Sequence, residues 1–287
     1  MKVTKLLKKE FPKALLELPQ PPQELYVVGN LPPENLIYLC VVGSRKCTSY
    51  GRECCEKIIS GLKGYPIVVV SGLAMGIDAV AHRSALSAGL KTLVFPGSGL
   101  SPAAMYPKTN VLLAQEVIKK GGCLISEFEP DFRATTWGFI KRNRLMAGIS
   151  KATLIIEAEE KSGTLVTARL ATEYNRDVLA VPGSIFSPNS YGTNRLLRQG
   201  ATPVTSSLEV LEALGFEKEK DEDRQKKLFA DLSKEEKMIM DLLREPISRD
   251  DLIRAIKIPT PMVNAVLSIM EIKGLVKEEL GEIRANL

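Results

Sequence analysis

Six short apolar runs recur along the first three-quarters of the chain: LIYLCVV (36–42), PIVVV (66–70), TLVF (92–95), CLI (123–125), ATLII (152–156) and DVLAV (177–181). None alternates with polar residues, which is the pattern of strands buried on both faces. Helical patterns lie between most of them, at 50–62, 76–88, 107–120, 137–147 and 163–175. Strand–helix alternation of this kind predicts an α/β fold, with a mainly parallel sheet, right-handed crossovers and helices on both faces, over residues 36–216.

The ends differ from this middle. Residues 1–35 are rich in Pro and weakly periodic, so they read as a lead-in segment with room for one short helix. Residues 217–228, EKEKDEDRQKKL, are almost wholly charged and predict a solvated linker, extending to about 232. Beyond it, Ser233 with Glu236 and Ser248 with Asp251 have the spacing of helix-starting capping boxes. A third helical pattern runs from Pro261 to Lys273 and is followed by Gly274-Leu275-Val276. Three short helices and a hairpin predict a small winged-helix domain at 233–287.

Charge changes the picture more than composition does. The 287 residues carry a net charge of +5. Residues 217–287 hold 14 Lys and Arg against 16 Asp and Glu, a net of −2, so residues 1–216 carry +7. Attraction to a polyanion is therefore expected in the first part of the chain. No apolar run reaches the length of a membrane span, and the basic N-terminus lacks the apolar stretch of a secretory signal. Five cysteines, at 40, 47, 54, 55 and 123, form no CxxC pair and read as reduced thiols in a cytoplasmic protein.

Ligands of an open parallel sheet bind beyond the carboxyl ends of its strands. The segments that follow the apolar runs are Gly43-Ser44-Arg45, Ser71-Gly72-Leu73-Ala74-Met75-Gly76-Ile77-Asp78, Pro96-Gly97-Ser98-Gly99, Ser126-Glu127, Ser162-Gly163-Thr164 and Pro182-Gly183-Ser184. Five of these six contain glycine and all contain serine. Small residues let backbone approach a ligand, and helix N-termini offer free N–H groups to phosphate, so a rim of such loops suits an anionic ligand. No Walker A sequence and no strict G-x-G-x-x-G after the first strand is present, which gives no support to ordinary ATP or dinucleotide use.

A second feature is Phe139-Ile140-Lys141-Arg142-Asn143-Arg144, close to Trp137. Cations beside aromatic rings combine phosphate neutralisation with stacking surface, the two needs of a single-stranded nucleic acid. The single histidine, His82, stands four residues after Asp78 on a predicted helix, a spacing that predicts a structural Asp–His contact. With one histidine and no clustered carboxylates, no metal and no cofactor are expected.

These blocks resemble the DprA/Smf family of DNA-processing proteins. Further matching positions are Ala81-His82, Tyr106-Pro107 with Asn110, Gly148-Ile149-Ser150, Glu157-Ala158, Thr167-Ala168, Pro182-Gly183, Gly192-Thr193-Asn194 and Gly200-Ala201, so the likeness spans roughly 10–214. The resemblance implies an extended Rossmann-like fold, binding of single-stranded DNA, homodimerisation, and loading of RecA recombinase onto that DNA during natural transformation and recombination. It implies no catalysis. Carried over by position, Arg45 is expected on a DNA phosphate, Lys141, Arg142 and Arg144 in the basic segment and Phe139 at its aromatic position. Ser44, Ser71, Gly72, Gly76, Gly97, Gly99, Asn143, Ser162, Gly163, Thr164 and Thr167 are expected to frame the DNA site. Three departures stand out: Ile140 where the family often has Pro, a longer stretch from Gly99 to Tyr106, and only the last segment of the N-terminal helical domain of many members.

Two other functions compete. A nucleotide-hydrolysing Rossmann-like enzyme would need an acid or base, for which Glu127, Asp78 and Glu157 are available. A transcription factor would read duplex DNA with Pro261–Met270, a helix segment that has no cation before Lys273 and so neutralises phosphate poorly.

Overall fold

The structure is a computed structural model of the 287-residue chain, which describes residues 2–216, 232–243, 246–256, 258–273, 275–279 and 281–285. The predicted linker at 217–232 lies outside the described residues except at its last position. Contacts divide the chain into two units, Met1–Glu217 and Lys218–Leu287.

The first unit is built on a nine-stranded sheet. Its strands are β1 (Thr4–Lys5), β2 (Tyr26–Gly29), β3 (Ile37–Val42), β4 (Ile67–Ser71), β5 (Lys91–Val94), β6 (Cys123–Ser126), β7 (Ala152–Ile155), β8 (Asp177–Ala180) and β9 (Thr202–Pro203). Their order is β1-β2-β6-β5-β4-β3-β7-β8-β9. From β6 through β9 all pairings are parallel, while β2 lies antiparallel to β6 and β1 antiparallel to β2. Chain order runs one way from β3 to β6 and the other way from β7 to β9. The sheet therefore has its switch point between β3 and β7, where a crevice opens in such folds.

The apolar runs lack polar alternation because both faces of each strand are covered. On β3, Leu39 and Val41 join one core with α2 (Ser49–Ser60), α3 (Ile77–Ser87) and α8 (Ser207–Ala213). Tyr38, Cys40 and Val42 point into the opposite core with α1 (Lys13–Leu16), α5 (Thr136–Ile149) and α6 (Gly163–Glu173). A third core lies under α4 (Val111–Lys119), packed on Tyr26, Val28, Val94 and Leu124. Between β8 and β9 runs α7 (Tyr191–Arg198).

The N-terminal segment is more than a lead-in. Tyr26, Val27 and Val28 pair with Ser126, Ile125 and Leu124, and Phe11, Leu15, Leu18 and Leu25 are buried. Prolines hide this from a periodicity reading because they break the segment into pieces too short to show a repeat.

The second unit holds α9 (Lys234–Leu242), β10 (Ile247–Ser248), α10 (Arg249–Ala255), α11 (Thr260–Ile272), β11 (Val276–Glu279) and β12 (Glu282–Ala285), with sheet order β10-β12-β11. Three helices and a wing of strands surround Ile239, Leu252, Val263, Leu267 and Ile283, the predicted winged-helix arrangement. The box at Ser233 is reciprocal: its hydroxyl accepts from the Glu236 N–H and the Glu236 carboxylate accepts from the Ser233 N–H. At Ser248 only the serine half forms, because the shorter Asp251 accepts from the Ser248 hydroxyl instead, at 2.6 Å.

Candidate nucleic-acid interface

A cleft of about 490 Å³ opens beyond the carboxyl ends of β3 and β7, at the switch point. Nine expected residues line it: Ser44, Arg45, Phe139, Arg142, Asn143, Ser162, Gly163, Thr164 and Thr167. They converge because the loop after β3, the middle of α5 and the start of α6 meet there. Ser162 caps α6, its hydroxyl accepting from the Thr164 N–H at 3.2 Å, and a Cβ on Gly163 would meet open space. This helix start lines the cleft with the positive end of its dipole, which suits an anion.

Arg45 is exposed and its guanidinium lies 5.1 Å from the centre of the Phe139 ring, which itself lies 6.0 Å from Tyr106. Lys46 and Lys161 also line the cleft, and both are exposed. Sequence reasoning missed these two cations, although each directly adjoins a singled-out block, Gly43-Ser44-Arg45 or Ser162-Gly163-Thr164.

Lys141 takes a different place. Its ammonium sits over Trp137 at 4.9 Å and Phe128 at 5.4 Å, and 3.5 Å from the Glu127 carboxylate. Trp137 is 57% exposed and packs with the buried Phe128 and with Phe132 in an aromatic cluster.

Two members of the basic segment are not the solvated cations that composition suggests. Arg142 is buried and donates to the Phe95 carbonyl; Arg144 is buried and ion-paired with Glu127. Asn143 is buried too, donating to the Gly163 carbonyl at 3.4 Å. Arg142 still reaches the cleft floor, beside Asp78. Burial pushes the Asp78 carboxyl upward against the pull of Arg142 and the Ala74 N–H, and burial lowers Arg142 in turn.

The glycine rim has a different physical cause from ligand approach at four positions. Gly76, at φ +77°, packs so closely that a Cβ would strike the carbonyl oxygens of Ser44 and Arg45. Gly97, at φ +78°, has the Phe139 ring where a Cβ would lie, 2.7 Å away. Gly72 is filled by Asp78 and Arg142, and Gly99 by the Glu129 and Pro130 carbonyls. Ser71 is buried with its hydroxyl on the Val41 carbonyl at 2.6 Å. These glycines let the loops close on one another and thereby hold Arg45 and Phe139 in place.

The expected Asp78–His82 contact is replaced. His82 Nε2 donates to the Gly72 carbonyl at 2.7 Å and Nδ1 meets the Thr92 hydroxyl at 2.6 Å. The carbonyl partner fixes a proton on Nε2, and burial lowers the imidazole pKa to about 4. Glu157 is equally committed: it accepts from the Thr48 N–H at 2.9 Å and from the Thr48 hydroxyl at 2.5 Å.

Comparison with known proteins identifies the family. The family model for DNA recombination-mediator protein A matches residues 2–215, and the DprA winged helix domain matches 225–282. The chain is 40% identical over 206 residues to DNA processing protein DprA of Streptococcus pneumoniae, covering 72% of each. It is 39% identical over 206 residues to Protein Smf of Escherichia coli, covering 72% of this chain but only 54% of that protein's length. The X-ray structure of DprA from S. pneumoniae superposes with a TM-score of 0.69 at 37% identity, covering 74% of each chain. DNA processing protein A from Helicobacter pylori, described for its single-stranded DNA binding mode, gives 0.67 at 31% identity, covering 74% of this chain and 95% of that one. The family match, the relatives and the shared fold establish that the chain belongs to the DNA recombination-mediator protein A family, the DprA/Smf proteins.

Proposed function

We propose that the protein binds single-stranded DNA without catalysis, protects it and loads RecA recombinase onto it, working as a homodimer in the cytoplasm during natural transformation and recombination. The observation that carries the DNA-binding part is the cleft at the switch point. It combines Arg45 stacked on Phe139 with Lys46, Lys161 and the start of α6. Cations for phosphate and an aromatic face for a base are the two requirements of an unpaired strand. The H. pylori relative supports the same ligand. RecA loading, homodimerisation and the cellular setting rest on the family resemblance.

Arg45, Lys46 and Lys161 take phosphate at the mouth. Ser44, Ser162, Gly163, Thr164 and Thr167 offer hydroxyl and backbone donors, and Lys141 with Trp137 adds a flanking stacking surface. Ser71, Gly72, Gly76, Gly97, Gly99, Arg142, Asn143 and Arg144 serve the site by holding its walls. Nucleotide hydrolysis finds less support, since Asp78 faces Arg142, Glu127 pairs with Arg144, and Glu157 is bound to Thr48.

Fluorescence anisotropy with labelled oligo-dT and a matched duplex tests the reading, using wild type and an Arg45→Ala/Lys141→Ala double variant. The expected outcome is a preference for the single strand that weakens with salt, by about 0.7 log units in affinity per phosphate contact per log unit of salt. The double variant loses at least tenfold. Equal affinity for both DNAs, or no loss in the variant, overturns it; release of free base from a nucleotide would favour the hydrolase.

A further inference from the structure

A second exposed surface adjoins the cleft on the same edge of the sheet. The loop after β8 carries Ile185 and Phe186, 85% and 90% exposed, and leads into α7 through Tyr191, 51% exposed. An aromatic ring left this open gains nothing for folding from its apolar area. The loop is nonetheless firmly built. Phe186 N–H donates to the Ser184 hydroxyl at 3.2 Å, Ser187 N–H to the Ser184 carbonyl and Ser190 N–H to the Ser187 carbonyl, both at 3.0 Å. Asn194 clamps Gly183 from both sides, accepting from its N–H at 3.3 Å and donating to its carbonyl at 3.0 Å.

The loop is also tied to the walls of the first cleft. The Asn189 side chain donates to the Lys46 carbonyl at 3.1 Å, and the Tyr50 hydroxyl to the Pro182 carbonyl at 2.6 Å. Ala158 N–H donates to the Asn189 carbonyl at 2.8 Å. Since β3, β7 and β8 are neighbours in the sheet, the loops at their tips form one row, and this loop is the next along it.

A cleft of about 400 Å³ lies here, lined by Ile185, Phe186, Pro188, Tyr191, Arg195 and Arg198 among others. No Asp or Glu occurs between Asp177 and Glu209. Glu159 and Glu160, on the adjoining loop, do not line it. Exposed rings flanked by two guanidiniums, with no acid among them, match a polyanion that offers π faces. A second copy of this chain would have to bring acidic groups to the two arginines.

We propose that Phe186, with Ile185, Tyr191, Arg195 and Arg198, forms a second nucleobase-stacking subsite that takes the next stretch of the same single strand after it leaves the first cleft. This rests on the proposed DNA-binding function. Phe186 stacks a base, Arg195 and Arg198 take phosphates, and the Lys46–Asn189 contact keeps the two subsites at a fixed spacing. Duplex DNA does not use it, because its bases are already stacked.

The test compares oligo-dT of about six and about fifteen nucleotides, lengths that span one and two subsites. Anisotropy is measured on full-length wild type, Phe186→Ala, Phe186→Trp and Arg45→Ala, with sedimentation velocity on each. The wild type is expected to gain affinity with length. Phe186→Ala keeps short-oligonucleotide affinity within about twofold and loses at least about fivefold on the long one, the lower end for a base–aromatic stack. Phe186→Trp retains the gain. No gain with length in the wild type, or a gain untouched by Phe186→Ala, overturns the second subsite. So does a Phe186→Ala protein that changes oligomeric state while keeping its long-oligonucleotide affinity, which would assign the surface to a second copy. Failure of Arg45→Ala to weaken the short oligonucleotide refutes the first cleft instead, and no binding by the wild type overturns both.

Discussion

His82 is the one histidine of the chain, and it is sealed between Gly72 and Thr92 on the strand side of α3. Its pKa is lowered to about 4 by burial, while an unfolded imidazole titrates near 6.5. Between those values the unfolded chain binds a proton that the folded chain refuses. Stability is therefore full above about pH 6.5 and falls as the pH drops toward 4. Urea unfolding followed by Trp137 fluorescence should lose about 2 kcal/mol between pH 7.5 and pH 5, and His82→Gln should remove most of that slope. A flat wild-type profile would mean that the imidazole is not sealed. The same sealing logic separates the arginines. Arg144 neutralises a buried carboxylate, whereas Arg45 keeps its guanidinium in solvent over a ring.

At the scale of elements, α5 is the part that most resists a local reading. Its residues 142–149 are buried without interruption, although three of the first four positions from Lys141 are cationic. A helix lying on a sheet normally keeps one solvated stripe. Here α6 packs on one side, the N-terminal segment on the other, and loops from β5 and β6 close the rest, so Arg142 and Arg144 find partners inside. Leu15 of α1 lies fully buried in the core that includes Leu145, Met146 and Ile149. Leu15→Ala should cost about 2–5 kcal/mol in chemical denaturation, as a full-core truncation does. A cost under about 1 kcal/mol would return residues 1–35 to the status of a lead-in.

At the scale of the molecule, the two units divide the charge. The first carries the excess of cations and both clefts. The second is acidic, and the Lys273 ammonium at the end of α11 is paired with Glu236 at 2.7 Å. Within α11 no Lys or Arg is present to neutralise phosphate. Deleting 217–287 should leave single-strand affinity within tenfold of the wild type, or about 1.4 kcal/mol, in the anisotropy assay. A greater loss would make the winged-helix unit part of the DNA reader.

The sequence by itself determined the six strands β3 to β8, most helices and the loops at the strand tips, since burial on two faces leaves an unbroken apolar run and tight turns require small residues. It also indicated Arg45 and Ser162–Thr164, because they follow apolar runs at strand tips, and Phe139, because it stands beside the cations of residues 141–144. Tertiary structure alone decided that β2 pairs antiparallel with β6, that Gly72, Gly76, Gly97 and Gly99 serve loop packing, and that His82 bonds Gly72 and Thr92 instead of Asp78. It also decided that Arg142 and Arg144 turn inward while Phe186 turns out. The reason is common to all four. Periodicity records which side of an element is buried, a local property, whereas the partner of a charge, ring or glycine is set by other segments of the folded chain. Two cations side by side in the sequence therefore look alike until the chain has closed around one of them.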